Sequence, residues 1–273
     1  MANQRSFLKW AGNKYSIIDT LKQELPSGTR LIECFAGSGA AFLNMDQFDS
    51  YVLNDINPDL INLFKILKRG PKKFIHQASK LFVPQNNQAA VYYQLRDTFN
   101  NSIDPYEKSL IFIYLNRHGY NGLCRYNLSG GYNVPMGEYR QPYFPEAELH
   151  FFAQKLKCAK LTNFSFHESF RAARKGQTIY ADPPFTELNA TSNFVGYAKG
   201  GFTFEDQKHL VKLAIKASNR GVNVVISNHD TPITRKLYES ADSIKQIMVQ
   251  RYISPKGESR KKVPELLVHY RAK

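Results

Sequence analysis

The stretch "TIYADPPFTEL" (Thr178–Leu188) begins as a buried strand should, then meets a carboxylate, two prolines and an aromatic ring. Prolines cannot continue a central ladder, so Asp182 belongs at the carboxyl end of a strand, where open α/β sheets keep their ligands. A carboxylate at a sheet edge is often only a helix cap or a surface acid. The neighbours point elsewhere. Pro183 and Pro184 hold the backbone extended and present carbonyls without competing N–H donors, and the Phe185 ring offers a stacking face. That set suits a planar amine. An exocyclic amine on a nucleobase is a weak nucleophile because its lone pair is delocalised into the ring. The Asp182 carboxylate and the Pro183 carbonyl, as paired acceptors, would bind its two hydrogens and favour the more tetrahedral nitrogen that attacks an electrophile. A base inside a duplex must first leave the stack to reach them, at a cost of a few kcal/mol.

A second constellation lies in "LIECFAGSG", where small residues follow a strand directly and lead into a helix near Ala40. Gly37 and Gly39 let backbone approach a ligand at a helix start. Phe42 stands where a dinucleotide motif places its third glycine, which argues against a pyrophosphate. About 20 residues after the first strand, "YVLNDINPDL" ends a second strand on Asp55, an acid placed to accept both hydroxyls of a ribose. A nucleoside-containing ligand follows. Near the start, "FLKWAGNK" sets the lone Trp10 between Lys9 and Lys14, and Lys14 is suited to pair with a ligand carboxylate.

The elements that must position these groups alternate as in an α/β protein. After the two strands, "PDLINLFKILK", "AAVYYQLRDTF" and "DPYEKSLIFIYLNR" carry apolar residues at helical spacing, with Asp104 and Pro105 as a start signal. Then Arg117 to Pro145, dense in Gly, Asn and Tyr, is too irregular for a core element and too long for an ordinary connection. It holds Arg117, Arg125 and Arg140, with tyrosines at 114, 120, 126, 132, 139 and 143 in and beside it. Arginines contact phosphates or guanine edges, and aromatics stack on or wedge between bases. The α/β rhythm resumes from Pro145, with a helix, strands at "LTNFSF", "QTIYA" and "NVVISN", further helices and a terminal hairpin. The predicted organisation is a doubly wound sheet domain, 1–57 plus 145–273, interrupted by a helical, loop-rich insertion at 58–144.

Composition agrees with a polyanionic partner: Lys and Arg number 37 against 23 acids, a formal charge of +14 over 273 residues. The segment "SPKGESRKKVPE" is a second candidate contact to a nucleic-acid backbone, or a solvated hairpin tip. Three scattered cysteines form neither a disulfide framework nor a zinc pattern, and the seven histidines show no metal-ligand spacing. No long apolar run is present. A metal-free, non-membrane, cytoplasmic protein is expected.

Taken together, "FLKWAGNK", "LIECFAGSG", "LNDIN", "YLNRHGYNGLCRYN", "YFPEAEL", "YADPPF", "ISNHD" and "RKKVPELL" resemble, in this order and over most of the chain, the DNA adenine methyltransferases of the Dam type. The order of motifs is similar to that of the α group of amino-methyltransferases. The resemblance implies a Rossmann-like doubly wound methyltransferase sheet, with the insertion as DNA target-recognition domain. It implies S-adenosylmethionine as methyl donor and the exocyclic N6 amine of a flipped adenine in duplex GATC as acceptor, within DNA methylation linked to replication, by a monomer. On the matching positions, Asp182, Pro183, Pro184 and Phe185 are the catalytic set. Trp10, Lys14, Phe35, Gly37, Gly39, Asp55 and Asp182 hold the cofactor, with Trp10 and Lys14 near its methionine end. Lys9, Leu123 and Arg125 read bases, Tyr120 wedges into the duplex, and Arg96, Arg117 and Asn121 contact phosphates, with Tyr139 also on the DNA side.

Two positions depart from the family pattern. The catalytic motif of the family usually ends in Tyr, where this chain has Phe185, which keeps the stacking face and loses the hydroxyl. Relatives tend to be basic where Glu138 stands, so a phosphate contact there is lost. Competing readings are a DNA-binding relative with weakened catalysis and methylation of another exocyclic amine; against the first stand Asp55 and Asp182, and against cytosine or glutamine chemistry stands Asp182 where Ser or Asn is commoner.

Overall fold

The computed structural model describes residues 2–184, 202–250 and 262–273. Its strands are β1 (Gly28–Glu33), β2 (Phe48–Asn54), β3 (Ala159–Thr162), β4 (Thr178–Ala181), β5 (Asn223–His229), β6 (Ser243–Gln250) and β7 (Lys262–Tyr270). Its α-helices are α1 (Ile18–Glu24), α2 (Ala40–Asn44), α3 (Pro58–Arg69), α4 (Pro71–Ser79), α5 (Ala89–Asn101), α6 (Pro105–His118), α7 (Glu146–Lys155), α8 (Phe166–Ala172), α9 (Phe204–Ser218) and α10 (Pro232–Leu237). The chain folds as two compact units. No helix among the described residues is long and apolar enough to cross a membrane.

The sheet unit comprises 16–36, 45–56 and 164–273. Six of the seven described strands lie here in the order β2-β1-β4-β5-β7-β6. The first four are parallel, and β7 joins β5 and β6 antiparallel, so the terminal hairpin forms as its alternation predicts. Parallel strands need both faces covered, which is why Ile179, Tyr180 and Ala181 are all buried in succession. Ile32, Ile179, Val224, Ile226 and Leu266 pack with Phe170, Leu210 and Ala214 from α8 and α9 into one apolar cluster. A buried polar knot lies within the same unit: the Asn228 amide of β5 donates to Gln207 Oε1 of α9 and to the Tyr238 hydroxyl after α10, each at 2.8 Å. Burial of these groups is tolerable because each has its partner.

The helical unit comprises 1–15, 37–44 and 57–163. Here α3 opens on Asn57, whose side chain accepts from the N–H groups of Asp59 and Leu60, with Pro58 in the first turn. In the same way Asp104 caps α6 ahead of Pro105. Between α3 and α5 lies α4, a further helix entered through Gly70 and Pro71. Phe7, Phe42, Phe64 and Phe152 meet edge-on or tilted, with centroids 4.9–6.1 Å apart, and form the aromatic centre of the unit.

Residues 119–145 are more ordered than their composition predicts. A 3-10 turn at Tyr120–Gly122 leads into a short hairpin in which Tyr126 faces Tyr132 and Asn133 N–H donates to Arg125 C=O. Side chains do much of the ordering. Asn127 Oδ1 accepts from Ser129 and Gly131 N–H, and Asn100 brackets Tyr132, accepting from its N–H and donating to its C=O. The tyrosines therefore divide: Tyr114 and Tyr132 are core, Tyr126 donates to Asp59 at 2.8 Å, and Tyr120 and Tyr143 stay exposed.

Candidate active site and nucleic-acid interface

In the sheet unit, Glu33 of β1 lies in register with Leu53 of β2 on one side and Tyr180 of β4 on the other. Two residues further along each strand stand Phe35, Asp55 and Asp182. The three occupy one row across the carboxyl ends of three adjacent parallel strands. The ladder persists into this row: Cys34 N–H donates to Tyr180 C=O at 3.2 Å and Ala36 N–H to Asn54 C=O at 2.9 Å. Strand spacing places the backbones of the two acids roughly 10 Å apart with Phe35 between them.

Three groups shape this row. Phe35 meets Phe166 and Phe202 at 5.5 and 5.4 Å, giving a three-ring apolar corner that the sequence did not reveal. Asn54, fully buried beside Asp55, donates to Cys34 C=O and Phe164 C=O and accepts from Phe164 N–H at 3.0 Å. It ties the end of β1, the end of β2 and the segment entering α8 to one amide. Asp182 is half-buried and its Oδ1 is shielded from solvent, with Pro183 buried and Pro184 exposed. Beneath it, Tyr180 hydrogen-bonds Ser227 at 2.7 Å; burial, reinforced by the Asp182 charge, holds its phenol far above the ordinary range, so it stays neutral. Phe185, the fourth member of the catalytic set, lies outside the described residues.

In the helical unit, Trp10 packs on the glycine turn. Gly37 has φ +48°, and a Cβ there would fall 2.7 Å from the indole nitrogen, so both conformation and space require glycine. Gly39 also lies in the left-handed region, at φ +68°. Lys14 is buried, and its ammonium donates to Gly12 C=O at 3.0 Å.

The same unit gathers the residues assigned to DNA. Lys9 Nζ donates to Arg117 C=O at 3.2 Å and sits 3.7 Å over the Tyr139 ring. Burial, with Arg117 adding repulsion, lowers the Lys9 ammonium to a pKa of about 8. Arg117 donates through Nε to Tyr143 C=O and lies over the Tyr143 ring, whose hydroxyl donates to Glu148 at 3.0 Å. Arg125 is held by Asn133, through Nε to Oδ1 at 2.9 Å and through a terminal nitrogen to the C=O at 3.3 Å. Arg96 lies over Tyr93 and reaches Val134 C=O at 3.4 Å. Tyr120 is 45% exposed at the head of its turn, Asn121 beside it has φ +51°, and Leu123 closes the turn half-buried. Tyr139 donates weakly to Gly119 C=O, at 3.4 Å, and Glu138 beside it is exposed.

Residues 10–253 match the family model of the D12 class N6 adenine-specific DNA methyltransferases. The chain belongs to that family. Relatives named DNA adenine methylase agree along nearly the whole length: the one from Vibrio cholerae is 50% identical over 268 residues, 98% of this chain and 96% of the relative. That from Escherichia coli is 48% identical over 271 residues, 99% and 97% of the two chains. Among solved structures, a precorrin-6y C5,15-methyltransferase from Geobacter metallireducens aligns with 95% of this chain and 91% of its own, at 8% identity and a TM-score of 0.36. This methyltransferase therefore modifies adenine at N6 in DNA, on an α/β fold, with a methyl donor as its second reactant.

Proposed function

We propose that the enzyme transfers the methyl group of S-adenosylmethionine to the N6 amine of an adenine turned out of duplex GATC. The observation that carries this reading is the row Phe35, Asp55 and Asp182 at the carboxyl ends of β1, β2 and β4. It supplies an acid for each of two jobs and an apolar ring between them.

The residues fit the cofactor. Asp55 is placed to accept the ribose hydroxyls, the rings of Phe35, Phe166 and Phe202 make an apolar corner for an adenine, and Gly37 leaves bare backbone beside Trp10. By resemblance, Trp10 and Lys14 serve the methionine end and Gly39 keeps the turn open. S-adenosylmethionine, when bound, supplies an electrophilic methyl group on a sulfonium. The protein's part is to prepare the nucleophile. Asp182 carboxylate and Pro183 carbonyl accept the two N6 hydrogens, which favours a lone pair localised on nitrogen, and the Phe185 ring stacks on the base and fixes its plane. A carboxylate half-withdrawn from water holds this hydrogen bond more strongly than an exposed one.

Target reading falls mainly to 58–144, joined by Lys9 from the N-terminal segment, with 1–57 and 145–273 otherwise serving as catalytic domain. Lys9, Leu123 and Arg125 contact bases, Tyr120 enters the stack vacated by the adenine, and Arg96, Arg117, Asn121 and Tyr139 hold the backbone. Labelled S-adenosylmethionine incubated with duplexes containing or lacking GATC, followed by identification of the modified nucleoside, tests the proposal. The expected product is N6-methyladenine confined to GATC; label in other sequences at equal rate, or in another base, refutes it.

A further inference from the structure

Residues 2–9 have no regular secondary structure, yet Gln4 and Lys9 are each pinned by an asparagine that imitates a neighbouring peptide. Asn44 Oδ1 accepts from Gln4 N–H at 2.7 Å and Nδ2 donates to Gln4 C=O at 2.9 Å. Asn116 Oδ1 accepts from Lys9 N–H at 2.9 Å and Nδ2 donates to Lys9 C=O at 2.7 Å. Between them Ser6 donates to Ser38 C=O at 2.7 Å. In each pair one carboxamide satisfies both main-chain groups of one residue, as a strand partner would.

Asn116 differs from Asn44 in what it holds. It is 1% exposed, in the last turn of α6, and the residue after it offers its free terminal carbonyl to Lys9 Nζ. One helix end thus fixes Lys9 at its N–H, its C=O and its ammonium. The negative end of the helix dipole favours that charge. From the other side Gly122 closes on Lys9: a Cβ on Gly122, at φ +63°, would fall 2.1 Å from the Lys9 Cβ. An ammonium with one hydrogen on Arg117 C=O and one side on the Tyr139 ring still has a hydrogen to offer a base-edge acceptor.

We propose that Asn116 is a positioning residue for sequence discrimination: its carboxamide sets the Lys9 backbone on the end of α6, so that the Lys9 ammonium meets one base pair of the target. The proposal rests on the reading of Lys9 as a base contact. It makes the helix, rather than the N-terminal segment, the element that places this contact. Asn116→Asp keeps the acceptor for Lys9 N–H and replaces the donor to Lys9 C=O with a repelling oxygen. Asn116→Leu removes both bonds at similar volume.

The test is single-turnover methylation of GATC and of four duplexes, each altered at one base pair of the site wherever adenine is retained, scored by binding where it is not. Wild type, Lys9→Ala, Asn116→Asp and the double variant are compared, each with its melting temperature. Lys9→Ala is expected to cut discrimination at one base pair by about tenfold or more. Asn116→Asp should erode it at that same base pair, with ratios at the others unchanged, and the double variant should be no worse than Lys9→Ala. Equal loss at every base pair, unchanged ratios, or multiplying effects in the double variant overturn the proposal. If Asn116→Asp melts non-cooperatively, Asn116→Leu takes its place under the same criteria. Lys9→Ala with all ratios intact also overturns it, while leaving methyl transfer to adenine untouched; absence of transfer by wild type would instead refute the reading it rests on.

Discussion

The two units place their functional side chains by different means. In the sheet unit, Phe35, Asp55 and Asp182 share a row because three strands share a backbone register. Position there is set by a backbone ladder, with the Asn54 side chain tying the end of β1 to the end of β2. In the helical unit, Lys9, Arg117 and Arg125 are set by individual side-chain hydrogen bonds: Asn116 to the Lys9 backbone, Arg117 to Tyr143 C=O and Arg125 to the Asn133 side chain. Chemistry, which tolerates little displacement, rests on the ladder. Base reading, on the proposed assignment, rests on individual amides and rings. Substitution of Asp182 should therefore change rate, and substitutions at Lys9, Arg117 and Arg125 affinity and discrimination.

The largest effect outside the carboxylate itself is expected at Phe185. Loss of the ring in Phe185→Ala should lower the transfer rate about tenfold to hundredfold, the worth of one base–aromatic stack, with duplex binding much less affected. Phe185→Tyr should change the rate only a few-fold, because the stacking face is kept. Equal single-turnover rates for all three side chains would remove the ring from the mechanism.

Next is Asn54. Asn54→Ala removes three hydrogen bonds from a fully buried site and should cost roughly 2–4 kcal/mol in a denaturant titration. Because those bonds frame the row, cofactor affinity should fall as well; a fall in stability with wild-type cofactor affinity would separate Asn54 from Asp55.

A smaller, pH-dependent effect belongs to the recognition side. Burial lowers the Lys9 pKa to about 8, below its ordinary value, so the charged form dominates below pH 8 and is lost above it. Binding to DNA favours the charged form. Affinity for GATC should therefore be highest below pH 8 and fall several-fold towards pH 9.5, in anisotropy titrations, with a flatter profile in Lys9→Arg. A profile identical in wild type and Lys9→Arg would dissociate Lys9 from binding. Smallest is Glu138→Arg, which should tighten duplex binding a few-fold and steepen the salt dependence by about one to two phosphate contacts, with longer processive runs. Unchanged affinity and processivity would count against a role for this position.

How much of this was legible follows from the same contrast. The row in the sheet unit could be read because strand ends announce themselves: an apolar run, then an acid, then Pro or Gly, in "LNDINP" and "YADPP". The start of α6 was equally plain, since Asp104 stands before a proline and satisfies its own first turn. Asn54 and Asn116 were not legible. Their partners lie 110 and 107 residues away, and an amide inside a motif carries no sign of which backbone it will meet. Tyr114 and Tyr132 group by sequence with the other tyrosines of this stretch and are buried instead, because a ring in a Gly- and Asn-rich stretch looks the same whether it faces solvent or fills the helical core. The helix α4 escaped notice because a charged segment behind Gly70 and Pro71 has only one short apolar stripe. The corner made by Phe35, Phe166 and Phe202 required the fold to bring distant segments together.

The division of labour between the two units is tested most directly with Asp182→Ala, measured twice on one preparation: equilibrium binding of a GATC duplex, and single-turnover transfer from saturating S-adenosylmethionine. The account predicts duplex affinity within about threefold of wild type, partial retention of cofactor binding, and a transfer rate lower by on the order of a thousandfold or more, as for loss of a transition-state acceptor. Wild-type transfer rates, or a loss of transfer explained fully by lost duplex binding, would contradict it.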